Sequence, residues 1–237
     1  CGAGVVYKFL EILYKELKIS HYEIEQFVEY VAIATVGDVM DLVGENRILV
    51  KTGLSMLQKT ENLGLQSLQD VTGLFGKKLS AYHIGFVLGP CINASGRLDT
   101  AKLALELLMS KTKEEADKLA VKLKDLNDSR KEMTQEGLRQ AIEIIESSAI
   151  KNDKILIVYL EECHESLAGI IAGRLREKYQ KPVFVLTKSE DGAKGSGRSI
   201  ESYHMFEGLS SCKELLTKYG GHPLAAGLSL PEGNIGA

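Results

Sequence analysis

The chain has no tryptophan and only four prolines and four cysteines among its 237 residues. The cysteines, at positions 1, 91, 163 and 212, form no Cys-x-x-Cys pair and no even spacing. That excludes a disulfide-stapled scaffold and a thiolate zinc site, and the four read as buried free thiols of a cytoplasmic protein. No apolar run approaches the roughly 18 residues of a membrane span, and the N-terminus lacks the charged, apolar, small-residue order of a signal peptide, so a membrane location is not expected. Positive charge is also short: 29 Lys and Arg against 32 Asp and Glu leave a net charge of −3. The whole-molecule field therefore does not attract a polyanion, although a local grip of glycine amides and one or two arginines needs no basic surface.

What the chain does have is 44% hydrophobic residues, enough for packed cores, and a length that fits two domains. Val5, Val6, Phe9, Leu10, Leu13, Tyr14 and Leu17 mark a helical stripe. A second helix is predicted over His21–Val31, with Ser20 and Glu23 as a capping box, running into the apolar stretch Val31–Val36. Helical patterns follow at Arg47–Lys59, Leu65–Val71, Tyr82–Leu88 and Leu98–Met109. The intervening Gly89–Arg97, rich in small residues, reads as a loop with a task. From Thr112 to about Ser147 helical spacing continues without a proline, a connector of roughly 50 Å. Beyond Lys151, strand Lys154–Leu160, helix Ser166–Tyr179 and strand Pro182–Leu186 make a βαβ unit. Lys194–Ile200 is predicted as a further strand, Tyr203–Lys218 as a helix and Ala225–Leu230 as a last strand. The fold class is α/β: a mainly helical first part (1–110), a long connector helix (111–148) and a small α/β domain with a mixed sheet (149–237).

The candidate chemistry lies in five places. Gly195-Ser196-Gly197-Arg198-Ser199 looks like an anion grip, with glycines for close backbone approach and a guanidinium fork for a phosphate. Gly220-Gly221-His222 delivers an imidazole about 24 residues after Arg198. His164 follows a strand and precedes a helix, where anions and sugars collect; loop histidine beside a Ser166 cap is the other reading. Asn93, Ser95 and Arg97 form either a polar loop aimed at a substrate or a solvated turn. Asp38 ends an apolar run and is either a metal ligand or a helix cap. The five histidines stand apart, so no complete metal site is visible.

These residues resemble a known family. Ala34-Thr-Val-Gly-Asp-Val-Met-Asp-Leu42, Gly44-Glu-Asn-Arg-Ile-Leu-Val50, Leu88-Gly-Pro-Cys-Ile-Asn-Ala-Ser-Gly-Arg-Leu98, Gly195-Ser-Gly-Arg-Ser-Ile200, Gly220-Gly-His222 and Ala225-Ala-Gly227 are similar, in order, to the motifs of RecJ-type single-strand-specific exonucleases of the DHH phosphoesterase superfamily. The resemblance implies a 5′→3′ exonuclease of DNA repair and recombination that uses two Mn²⁺ or Mg²⁺ ions. It implies that Asp38 is a catalytic metal ligand and His222 a catalytic group near the scissile phosphate. Asn93, Arg97, His164, Ser196, Arg198, Gly220 and Gly221 would bind the substrate, a single-stranded DNA with a 5′ end. Cys163 stands where the family has a tryptophan.

Helicase or single-strand-binding protein partners and a monomeric state are the associated expectations. The resemblance further implies an internal piece of a longer enzyme, with the Asp-His-His motif before Cys1 and an oligonucleotide-binding barrel after Ala237. Such a piece is expected to be inactive alone. Two alternatives stand beside this reading: a phosphodiesterase of oligonucleotides or cyclic dinucleotides in the same superfamily, and a nucleic-acid-binding module without catalysis.

Overall fold

The computed structural model describes residues 1–237 apart from the side chain of His21. Two compact units emerge, Cys1–Asp128 and Ser129–Ala237.

The first unit is helical: α1 (Gly2–Glu16), α2 (His21–Glu25), α3 (Val28–Gly37), α4 (Gly44–Leu57), α5 (Leu63–Val71), α6 (Ala81–His83), α7 (Gly89–Leu98), α8 (Lys102–Met109) and the first half of α9 (Lys113–Ser147). Only part of the α1 stripe is used. Tyr7 is buried against Ile24, Val28 and Val31, with Leu10 and Tyr14 alongside, whereas Val5, Val6, Phe9 and Leu17 are exposed. The single helix predicted from His21 to Val31 is two helices. Ser20 caps α2 through the Tyr22 N–H and not through Glu23. The capping box that does form joins Ser80 to His83, whose Nδ1 takes the place of a carboxylate.

The segment Gly89–Arg97 is helical, contrary to the loop expected. Ile84–Leu88 is a π-helical turn between α6 and α7, and the Gly89 N–H donates to the Ile84 carbonyl. Widening of the helix there accommodates Pro90, which has no N–H and whose ring would clash with the carbonyl four residues back. A proline that normally signals a break is thus absorbed.

The second unit takes the rest of α9 and a five-stranded sheet of order β1-β2-β3-β5-β4, with β1 Leu156–Leu160, β2 Val183–Ser189, β3 Gly192–Arg198, β4 Lys218–His222 and β5 Ala225–Leu230. β1 and β2 pair in parallel across the crossover helix α10 (Ala168–Tyr179); all other pairs are antiparallel. One sheet face packs Val158, Val183 and Val185 against Ile171, Ala172 and Leu175 of α10 and Ala141 and Ile145 of α9. The other packs Phe184 and Ala226 against Met205 and Leu209 of α11 (Met205–Ser211). β2 is buried on both faces, which is why it reads as a continuous apolar run.

The helix expected over Tyr203–Lys218 ends at Ser211, and β4 follows after one 3₁₀ turn. Lys-Tyr-Gly-Gly-His is an exposed edge strand with one large apolar side chain, so it carries no buried alternation to read.

Glu29 of α3 is buried, and its carboxylate accepts the Thr60 hydroxyl at 3.0 Å. Burial pushes this carboxyl above its ordinary range, against the lowering effect of the Thr60 and Tyr30 hydroxyls. A raised folded pKa means that the native state holds the proton where the unfolded chain has lost it. The associated stability is full below the unfolded value of about 4.3 and falls as pH rises through the folded one. Glu29→Gln is therefore expected to raise the thermal unfolding midpoint at neutral pH and to change it little near pH ~3. Parallel pH profiles for the two proteins would contradict this.

Candidate functional site

Strand alternation and register decide which side chains meet in the second unit. Directly paired residues of antiparallel strands share a face. Lys194 pairs with Ser229, which pairs with Lys218; Ser196 with Gly227 and Gly220; Arg198 with Ala225 and His222. Three strands thus present two lysines, two serines, an arginine and a histidine on one face, around a floor of Gly227 and Gly220. Of the residues singled out in the sequence, Ser196, Arg198, Gly220 and His222 come together here. Gly221 alternates to the opposite face, where Ala226 would lie 2.6 Å from any Cβ.

The glycines flanking Ser196 serve packing rather than ligand approach. A Cβ on Gly195 would lie 2.4 Å from Leu186 Cδ2, and one on Gly197 2.5 Å from Met205 Sδ and Phe184 Cε1. Large side chains from the neighbouring elements fill those two spaces, which directs Ser196 and Arg198 to the face that carries α10. There Gly169, in the first turn of α10, leaves room for them: a Cβ would sit 2.7 Å from Arg198 Nη2 and 2.9 Å from Ser196 Oγ. Arg198 Nη1 donates to Ser196 Oγ at 3.1 Å and to the Gly197 carbonyl at 2.7 Å. The guanidinium is half-buried and held in place beside the helix N-terminus, whose partial positive charge adds to its own.

Beyond the end of α10 the sheet face opens as a groove of about 380 Å³, lined by Glu165, Ser166, Lys194, Ser196, Lys218 and Ser229 among others. Lys194 pairs with Glu165 at 2.7 Å, and that carboxylate raises its pKa. His164 stands beside this groove: its Nδ1 caps the turn Glu165–Leu167 by accepting the Ser166 N–H at 3.3 Å and meets Ser166 Oγ at 2.8 Å. His222 Nδ1 accepts the Leu224 N–H at 3.3 Å. In both rings the neutral form therefore carries its proton on Nε2, a donor suited to an anion. Burial raises the Cys163 thiol pKa, which favours the protonated form.

Sequence reasoning missed Lys194, Lys218 and Ser229. The signal was present as alternation, Lys194-x-Ser196-x-Arg198 and Lys218-x-Gly220-x-His222, and becomes legible once both segments are strands.

In the first unit Asn93 and Arg97, four apart on α7, lie on its exposed face, while Ser95 is buried and donates to the Ile92 carbonyl at 3.0 Å. Asp38 is exposed and closes α3. The Val39 N–H donates to the Val36 carbonyl and the Met40 N–H to the Thr35 carbonyl, a Schellman arrangement. It holds Val39 at φ 54°, a left-handed conformation that suits glycine and strains a β-branched residue. Among the described residues there is no group of three or more His, Cys, Asp or Glu, at Asp38 or elsewhere, that could hold an ion. One carboxylate does not supply the donors of a two-metal centre, so no metal-dependent step follows from these residues.

Comparison with known proteins fits this geometry. Residues 152–237 match the DHHA1 domain family, which defines the class of the second unit. The single-stranded-DNA-specific exonuclease RecJ of Bacillus subtilis (strain 168) is 35% identical over 231 residues, 97% of this chain and 28% of the relative. The protein of that name from Escherichia coli (strain K12) is 36% identical over 92% of this chain and 40% of its own length. The structure of RecJ from Thermus thermophilus in complex with Mg²⁺ superposes with a TM-score of 0.84 at 31% identity, covering 94% of this chain and 34% of that one. A manganese-bound exonuclease RecJ gives a TM-score of 0.86 at 32% identity over 99% of this chain and 58% of that one. Over nearly its whole length the chain is similar to RecJ exonucleases, and it spans between about a quarter and half the length of the curated relatives it matches.

Two expectations follow from the packing. Gly169→Ala should cost the chain roughly 0.5–1.5 kcal/mol by pushing aside the ends of Arg198 and Ser196 and breaking their mutual hydrogen bond. Gly173→Ala, whose Cβ would meet nothing nearer than Arg198 Cγ at 4.0 Å, should stabilise it by roughly 0.5–1 kcal/mol through helix propensity. Urea unfolding of both variants measures the difference in sign. At the end of α3, Val39→Gly should relieve left-handed strain of about 1–2 kcal/mol, less the entropy glycine loses on folding, and leave a net gain in unfolding free energy.

Proposed function

We propose that this chain is the strand-holding part of a divalent-metal-dependent 5′→3′ exonuclease acting on single-stranded DNA in repair and recombination. The observation that carries the reading is the face shared by Lys194, Ser196, Arg198, Lys218 and His222, floored by glycines and flanked by the first turn of α10. Its chemistry is that of a phosphate site: a guanidinium fork already oriented by Ser196, two ammonium groups and an Nε2–H donor, with room for a backbone to approach. Ser196 and Arg198 hold the 5′-terminal phosphate, Lys194 and Lys218 the adjoining backbone, and His222 lies toward the bond to be cut. In the first unit Arg97 and Asn93 contact the strand, and Asp38 is one ligand of a metal pair whose other donors these residues do not include. The RecJ structures with Mg²⁺ and Mn²⁺ support the metal dependence. Among the described residues no helix is long and apolar enough to cross a membrane, and a cytoplasmic, monomeric protein with helicase or single-strand-binding partners is the corresponding setting.

Binding measured by fluorescence anisotropy tests this. A 5′-phosphorylated single strand should bind more tightly than its 5′-hydroxyl twin. Arg198→Ala should remove that preference at a cost of about 1.5–3 kcal/mol, or roughly 10- to 150-fold in Kd. Tighter binding of a cyclic dinucleotide or of a tRNA would overturn the reading. With Mn²⁺ present, residues 1–237 alone should leave 5′-phosphorylated single strands intact on a denaturing gel. Robust degradation would show that these residues hold a complete metal centre.

A further inference from the structure

A second cavity, in the first unit, has no part in the reading above. It is a groove of about 500 Å³ whose floor is Val50, Leu54 and Leu79 and whose walls carry Arg47, Lys51 and Lys78. Arg47, Lys51 and Leu54 fall at i, i+4 and i+7 on α4, so one helix face supplies two cations and an apolar surface between them. Lys78 comes from the segment before α6. No carboxylate lines the groove, and Arg47, Lys51 and Lys78 have no ion-pair partner among the described residues. Glu45, the acid nearest in sequence to Arg47, is engaged by Lys8. Lys59 stands on the rim that this groove shares with a neighbouring pocket containing Glu23, Glu25, Glu29 and Glu61. Uncompensated cations around an apolar floor, in a chain of net charge −3, mark a place for an anionic ligand with an apolar part.

The adjoining surface narrows the choice. Ala81 lines the groove, and the next residue, Tyr82, stacks on Phe86 with ring centroids 4.9 Å apart and planes at 26°. Both rings are exposed, at 63% and 69%. A basic track beside stacked, solvent-facing aromatics is the combination that holds single-stranded nucleic acid, cations on the phosphates and rings under the bases. Paired bases, already stacked, would not offer their faces to Tyr82 and Phe86. The groove lies at the opposite end of the helical run 81–98 from Arg97, about 24 Å away at 1.5 Å per residue.

We infer that Arg47, Lys51 and Lys78, with Tyr82 and Phe86, form a second contact for single-stranded nucleic acid, made of other residues than the terminal-phosphate grip and indifferent to the strand's end. The inference deepens the proposed function and rests on single strands being the ligand.

A circular single strand, which has no 5′ end, separates the two sites. Binding of the full chain to a circular single strand should fall at least tenfold in the triple variant Arg47→Gln, Lys51→Gln, Lys78→Gln. The slope of log K against log salt should shrink by about 2, since each lost phosphate contact on a single strand removes about 0.7. Tyr82→Ala with Phe86→Ala should weaken the same binding by roughly 5-fold or more without changing that slope. The preference for a 5′-phosphate should persist in all these variants. All five side chains are exposed, so unchanged circular dichroism and unfolding midpoints are expected and serve as the control for folding. Unchanged affinity for the circular strand in the triple variant overturns the inference, as does an acidic peptide that binds the groove without being displaced by single strands. Loss of the 5′-phosphate preference at Arg198→Ala, with no effect in the groove variants, supports the terminal grip and refutes the groove. The reverse pattern supports the groove and refutes the grip.

Discussion

The arrangement of the second unit depends on the register of β3. Side chains alternate strictly along a strand, so a slip of one residue would exchange its two faces entirely. Gly195 and Gly197 block such a slip. Leu186, Met205 and Phe184 occupy the volume where their Cβ atoms would be, and neither Ser196 nor Arg198 could enter that volume. The glycines that look like ligand-binding residues therefore act from the far side of the sheet. They fix which three side chains, Lys194, Ser196 and Arg198, look toward α10 and the groove.

The same constraint propagates outward through pairing. β5 contributes Ser229 and Gly227 opposite Lys194 and Ser196, and β4 adds Lys218, Gly220 and His222 in the next column. Because α10 covers only the β1-β2-β3 side of this face, with Gly169 admitting Arg198 beneath its first turn, the columns of β5 and β4 stay open. The surface that results is electropositive from three independent sources: fixed side-chain cations, the N-terminal end of α10 and the ring N–H donors set by Nδ1 hydrogen bonds. Glu165 is the counterweight. Its pairing with Lys194 keeps one cation oriented while lowering the net charge of the groove.

Much of this is legible in the residues, and the failures have physical causes. The βαβ unit, the long helix α9 and the last strand follow from apolar periodicity, because each buries a stripe or a face. β4 carries no such stripe, being an exposed edge, and its membership in the sheet comes from backbone pairing that leaves no mark on Lys-Tyr-Gly-Gly-His. The loop expected at Gly89–Arg97 fails for another reason. Local propensity at Pro90 is outweighed by packing of Leu88, Cys91 and Ala94 into the helical core, with a π turn taking up the steric conflict. As for the site, the glycines around Ser196, Arg198 and His222 are what suggest their association in the sequence. The lysines escape notice because a lysine in isolation reads as a solvated surface residue. Asp38 does stand at the end of an apolar run, yet that run is a helix, and its cap geometry with the strained Val39 does not follow from composition.

Net charge is the poorest guide of all. A value of −3 describes the field far from the molecule, whereas a bound phosphate responds to charges within about a Debye length, roughly 8 Å at physiological salt. Within that range the chain is segregated. Acids gather in one pocket of the first unit around Glu23, Glu25, Glu29 and Glu61, while the adjoining groove holds Arg47, Lys51 and Lys78 and no carboxylate at all. Lys59 sits on the rim between them. Such separation costs little at an exposed surface, where water screens like charges, and it leaves cations unneutralised where a polyanion could lie. An acidic protein can thus carry basic tracks, provided that its acids are sequestered elsewhere and the tracks are bounded by apolar or aromatic surface instead of by carboxylates.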